Sequence, residues 1–166
     1  MEDCQIPEEN LLGDPKHGFS QHLAVLETGR ISIAAMATGL AQACLDEALA
    51  HTRQRCQSPK SLLKSQSTPF RIADIATMIE LSRTMYLKAA WLKDQGRKHT
   101  LEAHFAKLFA SESATKIASE VLKMQGLFGC LDEYPISRYF KMAKLLDIVE
   151  GTSEIQRMVI ARELLM

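Results

Sequence analysis

Hydrophobic residues recur at intervals of three and four along most of the chain, which is the spacing of one face of an α-helix. Between Phe19 and about Arg55 this spacing predicts one long helix. Its recurring apolar positions are Leu23, Leu26, Ile33, Met36 or Ala37, Leu40, Cys44 and Ala48. The next segment, 57–68, contains Pro59 and several serines, and it therefore predicts a loop.

Two further long helices are predicted after this loop. Thr68 followed by Pro69 is typical of a helix start, so the second helix is expected from there to about Gln95. Its inner side is predicted to carry Phe70, Ala73, Ala76, Ile79, Arg83 and Tyr86. Thr100 is a good N-cap residue and begins the third helix, which Gly126 ends. The buried stripe of that helix is predicted at Ala106, Ala110, Ala114, Ile117, Val121 and Met124.

The C-terminal part predicts two shorter helices. One follows Pro135 and ends near Leu146, and the other runs from Ser153 through Leu165. Ser153 and Gln156 have the spacing of a capping box, which supports this second start. Three long amphipathic helices followed by shorter ones predict an all-α fold, an up-and-down four-helix bundle with an extra short helix. No strand is predicted after residue 18.

Charge and composition limit the class of function. Twenty basic and 20 acidic residues give a net charge of zero, which argues against the broad basic face of a nucleic-acid-binding protein. No apolar run approaches the roughly 20 residues that cross a bilayer, so no membrane-spanning helix is expected. The first twenty residues lack the basic-then-apolar order of a signal peptide, and the cysteines show no Cys-x-x-Cys spacing. These observations favour an intracellular, reducing location.

Generic motifs for metal or phosphate binding are weak in this chain. A di-iron site in a helical bundle needs Glu-x-x-His pairs on facing helices, and the five histidines offer none. We therefore predict no metal site. Gly126 and Gly129 resemble part of a glycine-rich phosphate loop, but no strand precedes them. On this pattern alone, a helix end followed by a turn is favoured over a nucleotide-binding loop.

A specific run lies near the C-terminus. Residues 148–157 read Ile-Val-Glu-Gly-Thr-Ser-Glu-Ile-Gln-Arg, and they resemble the signature that ends the catalytic domain of the acyl-CoA dehydrogenases. Further resemblance covers nearly the whole chain, including residues 7–13, 29–35, 73–74, 89–93, 106–108 and 134–135. It implies that residues 19–166 form the C-terminal four-helix-bundle domain of this family. Residues 1–18 are then a lead-in segment that resembles the end of the family's β-domain.

The resemblance implies an FAD-dependent oxidoreductase. Members of the family oxidise acyl-CoA thioesters, as in fatty acid or branched-chain acyl-CoA oxidation, and pass electrons to an electron-transfer flavoprotein. Glu150 matches the base that removes the α-proton of the substrate. A carboxylate in a mostly apolar crevice loses hydration and becomes a stronger base. On the residue pattern alone, a solvated glutamate in a turn is the alternative.

Other site residues follow from the same resemblance. Gly151 matches a position that lies against the substrate, and Thr152 and Glu154 match positions that contact FAD. Glu27 and Arg30 match an Asp-x-x-Arg arrangement near the acyl chain, with Glu in place of Asp. The alternatives are a plain helix cap for Thr152 and Glu154, and a solvated ion pair for Glu27 and Arg30.

Three more positions match contacts to the FAD of a neighbouring subunit, and the segments around them depart from the family. They are Arg55, Gln66 and Gly126. After Arg55, the usual Arg-x-x-Phe-Gly is replaced by a run ending in Ser58-Pro59, and proline fixes φ where relatives have a flexible glycine. The usual Gly-Gly pair reads Gly126-Leu127, so a side chain stands where the backbone would approach the cofactor closely.

Two functions are compatible with these observations. The first is the C-terminal catalytic domain of an acyl-CoA dehydrogenase, incomplete and inactive on its own, because the flavin ring in the family lies between this domain and the β-domain. The second is a flavin-free oligomerisation or interaction module derived from that domain. The resemblance also implies a homo-oligomer, a dimer or a tetramer, in the bacterial cytoplasm or the mitochondrial matrix.

Overall fold

The computed structural model of the protein describes residues 2–55 and 66–166. Five α-helices lie in this part of the chain: α1 (Gly18–Arg55), α2 (Ser67–Asp94), α3 (Thr100–Gln125), α4 (Pro135–Ile148) and α5 (Ser153–Leu165). Short 3-10 turns occupy Glu8–Asn10, Pro15–His17 and Gly126–Cys130. Three long helices and two short ones, with no strand in the described ranges, confirm the predicted all-α bundle with an extra short helix.

Helix α3 lies at the centre of the bundle and packs against the four other helices, most extensively against α1. Alanines line both sides of this central interface. They are Ala34, Ala37, Ala41 and Ala48 of α1, and Ala106, Ala110, Ala114 and Ala118 of α3, all buried. Small side chains let two helix backbones approach closely, because the interaxial distance depends on the residues at the contact. The stripe predicted for α3 is buried from Ala106 to Val121, and Met124 is partly buried.

The buried face of α2 differs from the prediction. Of the predicted positions, Ile79 is buried, whereas Ala73 and Ala76 are exposed and Phe70 is 62% exposed. The buried positions are Ile75, Ile79, Ser82, Ala89 and Leu92. Two rows of residues have helical spacing on this helix, and the alternative row carries Ile75. A branched side chain removes more apolar surface from water than alanine does, so packing selects the row with two isoleucines.

Helix α1 is longer and more apolar than its interrupted apolar runs suggest. Together with the preceding turn it spans Pro15–Arg55, and an 18-residue window reaches a mean hydropathy of 1.3. By length and composition alone it could cross a membrane, contrary to the expectation of no such helix. The core helix of a soluble bundle passes the same test, and the row from Ile31 to Ala48 is buried against the other helices. The length of α1 is therefore weak evidence for membrane insertion.

Residues 2–17 lie outside the helical core. All of them are exposed, and they contain two of the 3-10 turns. Asp14 starts the second turn, where its Oδ1 accepts a 2.9 Å hydrogen bond from the backbone N–H of Lys16. Helix α1 begins at Gly18, close to the predicted boundary. The expectation that this segment is the end of a β-domain stays a prediction.

Candidate active site

The turn between α4 and α5 carries Glu150. Glu150 and Gly151 both have positive φ angles, 57° and 97° respectively. Glycine adopts this left-handed conformation freely, whereas for a residue with a side chain it costs about 1–2 kcal/mol. Contacts with the surrounding structure must therefore hold Glu150 in this conformation.

The carboxylate of Glu150 lies directly against Gly29 of α1. A Cβ atom at position 29 would stand 2.6 Å from Glu150 Oε2 and 3.0 Å from Oε1, so the close approach requires glycine. Oε2 is buried and has no hydrogen-bond partner, although the residue as a whole is half-buried. One carboxylate oxygen thus lies in a crevice between the turn and α1, with its lone pairs free.

Two buried cations interact with this carboxylate. Arg30 is 6% exposed and Lys107 is 0% exposed. Burial lowers the pKa of Arg30, and the negative charges of Glu27 and Glu150 oppose that shift. Burial also lowers the pKa of Lys107, against the attraction of nearby carboxylates that include Asp147 and Glu150. The site therefore combines one half-buried carboxylate with two poorly hydrated positive charges.

Glu27 and Arg30 are not the solvated ion pair that the sequence alone allows. Arg30 is buried, and its Nε has no hydrogen-bond partner. Glu27 is half-buried, and its Oε1 accepts a 3.1 Å hydrogen bond from Thr100 Oγ1 at the start of α3. The two residues and Glu150 therefore surround the same junction of α1 and the turn. Their contact with an acyl chain stays a prediction.

The predicted capping box between Ser153 and Gln156 does not form. Thr152 is the N-cap residue of α5, and its side chain makes no cap hydrogen bond. Gln156 Nε2 donates instead to the backbone carbonyls of Gly151, at 2.9 Å, and Glu150, at 3.3 Å. The same glutamine that suggested a helix cap therefore holds the turn that carries Glu150.

Two more buried polar residues belong to this end of the bundle, and the sequence analysis assigns them no role. Lys107 Nζ donates a 2.9 Å hydrogen bond to the backbone carbonyl of Asp147 near the end of α4. His104 is 1% exposed, and burial together with the positive charge of Arg30 lowers its pKa. A hydrogen bond with Gln156 opposes that shift. In the sequence, the clue to both residues is that a large polar side chain lies close to Ala106, within the predicted buried stripe of α3.

The start of α5 forms a shallow groove of about 190 Å³, lined by residues that include Thr152, Glu154 and Lys144. Hydrogen bonds from the Thr152 hydroxyl and from its own backbone amide hold the pKa of Glu154 below its usual range. The Glu154 side chain is exposed. The lining also contains the carboxylates of Glu112 and Asp147, so the backbone N–H groups of the first turn of α5 open into a largely acidic groove.

Three predicted cofactor residues lie apart from Glu150. Arg55 is exposed at the end of α1, about 40 Å along the helix from Gly29. Gln66 is exposed immediately before α2. Gly126 follows α3 with a φ of 64°, and nothing lies within 4 Å of its Cβ position. The departure predicted at Ser58-Pro59 lies outside the described residues.

Cys4 and Cys130 are exposed, Cys44 is buried, and all three are free thiols. Burial raises the pKa of the Cys44 thiol to about 12, which makes it unreactive. Within residues 2–55 and 66–166, no group of three or more His, Cys, Asp or Glu side chains could hold a metal ion.

Comparison with known proteins gives a consistent result. Residues 16–165 match the model of the acyl-CoA dehydrogenase C-terminal domain. The chain is 52% identical to the probable acyl-CoA dehydrogenase YngJ of Bacillus subtilis, over 99% of this chain and 43% of that protein. It is 45% identical to the mitochondrial short-chain specific acyl-CoA dehydrogenase of Rattus norvegicus, over 99% and 40%. The solved structure of butyryl-CoA dehydrogenase from Megasphaera elsdenii superimposes with a TM-score of 0.92 and 40% identity, over 97% of this chain and 42% of that one.

These matches extend over nearly all of this chain but over only part of each relative. The chain spans about two fifths of the length of the proteins it matches. Both the sequence and the arrangement of helices agree with the resemblance drawn from residues 148–157, which is thereby confirmed. The chain belongs to the acyl-CoA dehydrogenase family and corresponds to its C-terminal domain.

Proposed function

We propose that this domain supplies the base for the FAD-dependent α,β-dehydrogenation of acyl-CoA thioesters, and that Glu150 is that base. The main support is Glu150 Oε2, which is buried against Gly29 and has no hydrogen-bond partner. Such an oxygen is poorly solvated and free to accept a proton from the α-carbon. FAD, when bound, accepts the hydride that leaves the β-carbon. The two transfers together turn the acyl thioester into its trans-2-enoyl product.

Glu27, Arg30 and Gly151 are the residues that we expect to contact the acyl-CoA. They flank Glu150 at the junction of α1 with the turn, so a thioester whose α-carbon reaches Oε2 would pass beside them. The buried Arg30 Nε supports this assignment, because a donor without a partner inside a protein is costly unless a ligand satisfies it.

The residues present fit a dinucleotide such as FAD. Thr152 and Glu154 flank the groove at the start of α5, where backbone N–H groups of the first helical turn are available to donate to a polar edge of the cofactor. Arg55 and Gln66 offer exposed donors, and the backbone at Gly126 is open to close approach. We expect these five residues to hold FAD, with Arg55, Gln66 and Gly126 reaching the cofactor of a neighbouring subunit.

Partners and location follow from the family. We propose an electron-transfer flavoprotein as the electron acceptor and a homo-oligomer as the assembly. The two curated relatives compared above are a bacterial and a mitochondrial protein. We therefore expect this protein in the bacterial cytoplasm or the mitochondrial matrix.

A chimera tests the proposed activity. Residues 1–166 replace the matching segment of the Bacillus subtilis relative, and acyl-CoA-dependent dye reduction is measured on the purified protein. Glu150→Gln should lower kcat by about 100-fold or more, because it removes the proton acceptor. Glu133→Gln, which removes an exposed carboxylate from the loop before α4, should leave kcat unchanged. Equal rates for the two variants would refute the role of Glu150.

A flavin-free oligomerisation module is the second candidate. Exposed apolar residues on α4 favour it, because Met142, Leu145 and Ile148 are 46%, 54% and 55% exposed and lie along one row of the helix. The visible absorbance of oxidised flavin after removal of free FAD separates the two candidates. Retained flavin supports the dehydrogenase, and a colourless, stable oligomer of the chimera supports the module.

A further inference from the structure

One buried side chain holds the turn that carries Glu150. Glu150 and Gly151 are consecutive left-handed residues, and only the second is a glycine. Gln156 is 0% exposed, and its Nε2 lies 2.9 Å from the carbonyl oxygen of Gly151 and 3.3 Å from that of Glu150. An amide NH2 group has two donors. A single side chain therefore satisfies both carbonyls of the turn.

We propose that Gln156 is a positioning residue, whose amide locks this turn so that the Glu150 carboxylate stays against Gly29. The inference rests on the proposed function of Glu150 as the base. Gln156 acts on Glu150 through the backbone carbonyls of Glu150 and Gly151. It therefore controls where the proton acceptor lies, and it does not itself exchange protons with the substrate.

The packing around Gly151 fits this role. A Cβ atom at position 151 would lie 3.0 Å from Gln156 Nε2, which is tighter than ordinary contacts. The φ of 97° also excludes most residues with a side chain. Glycine meets both requirements, and it lets the amide reach both carbonyl groups. The backbone conformation of the turn thus matches the position of the Gln156 amide.

A second buried donor holds the chain just before the turn. Lys107 Nζ on α3 binds the carbonyl of Asp147 near the end of α4. Donors from α3 and α5 therefore hold the backbone on both sides of Glu150. With the backbone held in this way, the Glu150 side chain starts from a fixed position, and its carboxylate lies against Gly29. A displacement of about 1 Å at a reacting group can lower a rate by about 100-fold.

The test measures proton transfer separately from oxidation. The chimera described above is mixed with 3,3-dimethylbutanoyl-CoA in D2O, and NMR follows exchange of the α-protons. This thioester has α-hydrogens but no β-hydrogen, so the protein can exchange its protons but cannot oxidise it. Glu150→Gln should abolish the exchange. If the exchange persists in that variant, the proposed function fails, and the inference about Gln156 fails with it.

Two substitutions test Gln156. Gln156→Met keeps the approximate length and volume but removes the amide, and we expect exchange to slow by about 100-fold. The flavin content and the dissociation constant for the thioester should not change, because Gln156 is 0% exposed and presents no surface to a ligand. Gln156→Asn keeps the amide but shortens its reach by one carbon. It should show the same loss, and it serves as the test if the Met variant does not fold.

Gln42→Met is the matched control. Gln42 donates to Asp46 and accepts from Arg83, and it lies about 20 Å further along α1 than Gly29. Both Met variants should unfold more easily than the parent, but only Gln156→Met should slow the exchange. Equal exchange rates in the two Met variants, with Glu150→Gln inactive, would overturn the positioning role and leave the proposed function standing.

Discussion

Apart from Thr152 and Glu154 at the start of α5, the predicted site residues form two groups that differ in burial. The inner group consists of Glu27, Arg30, Glu150 and Gly151, all buried or half-buried. The outer group consists of Arg55, Gln66 and Gly126, all exposed. The inner group contacts buried residues of this chain, such as Gln156, whereas the outer group lies at helix ends with its side chains or backbone open to solvent.

This difference is compatible with the two roles proposed for these residues. A base must be held in a fixed, poorly hydrated position, so its supports are buried and belong to the same chain. Residues that bind a cofactor at an exposed surface need accessible hydrogen-bond donors, and a second protein surface would complete such a binding site. Changes in the inner group should therefore alter the reaction strongly, whereas changes in the outer group should leave the fold almost unaffected.

A large effect, comparable to that of Gln156→Met, is expected at Gly29. Gly29→Ala would bring a Cβ atom to 2.6 Å from Glu150 Oε2 and force the carboxylate to move. We expect the α-proton exchange of the chimera to slow by about 100-fold, because the base is displaced by about 1 Å. NMR in D2O measures this exchange, as for the Gln156 variants.

Gly39→Ala on the same helix is the control for this substitution. Nothing lies within 4 Å of the Cβ position of Gly39, which is exposed in the middle of α1. Replacing it should keep the exchange rate and stabilise the protein by about 1 kcal/mol through helix propensity. If the Gly29→Ala variant exchanges protons as fast as the Gly39→Ala variant, the close packing around Glu150 does not determine the position of its carboxylate.

The number and limits of the helices could be predicted because their signals are local. Pro135 begins α4, and Gly126 ends α3, where sequence analysis expects them. The inner face of α2 could not be predicted in the same way, since Phe70 and Ile75 belong to two rows that both have helical spacing. Only packing against the other helices decides between these rows.

The inner group was predicted only in part. The resemblance predicts a role for Glu150, but the hydrogen bonds that Gln156 makes beside it depend on a left-handed backbone, which a glutamate at position 150 does not predict. The spacing of Ser153 and Gln156 fits a capping box equally well. The contact of Lys107 could not be predicted from the sequence either, because the Asp147 carbonyl that it binds lies 40 residues away. Contacts at that separation arise from the packing of α3 against α4.

A smaller effect, on stability, is expected from the protonation of His104, a buried histidine of α3. Its pKa is lowered mainly by burial, with Arg30 and Arg162 adding to the shift and Gln156 and Glu27 opposing it. Between that lowered value and the pKa of about 6.5 in the unfolded chain, the unfolded state binds more protons. The stability from neutral His104 is therefore fully present above pH of about 6.5 and is lost as the pH falls below it, by at most about 1.4 kcal/mol per pH unit.

Urea unfolding of the 166-residue chain at pH values of about 5.5 and 7.5 measures this effect. His104→Gln should lose less stability between the two pH values than the parent, since its side chain does not titrate. His22→Gln, which changes an exposed histidine of α1, should keep the parent's pH dependence. If the His104→Gln variant also keeps the parent's pH dependence, the buried histidine is not its cause.

The smallest effect on the fold is expected for the outer group. Gln66 is the N-cap residue of α2 but makes no side-chain cap hydrogen bond, and Arg55 is an exposed basic residue in the last turn of α1, where a cation stabilises a helix only weakly. The double variant Arg55→Ala and Gln66→Ala should therefore change the free energy of unfolding by less than about 0.5 kcal/mol. In the chimera, the same change should weaken FAD binding by about tenfold, because a charge-assisted contact is lost. A large loss of stability with unchanged flavin retention would make these residues structural and would remove the distinction between the two groups.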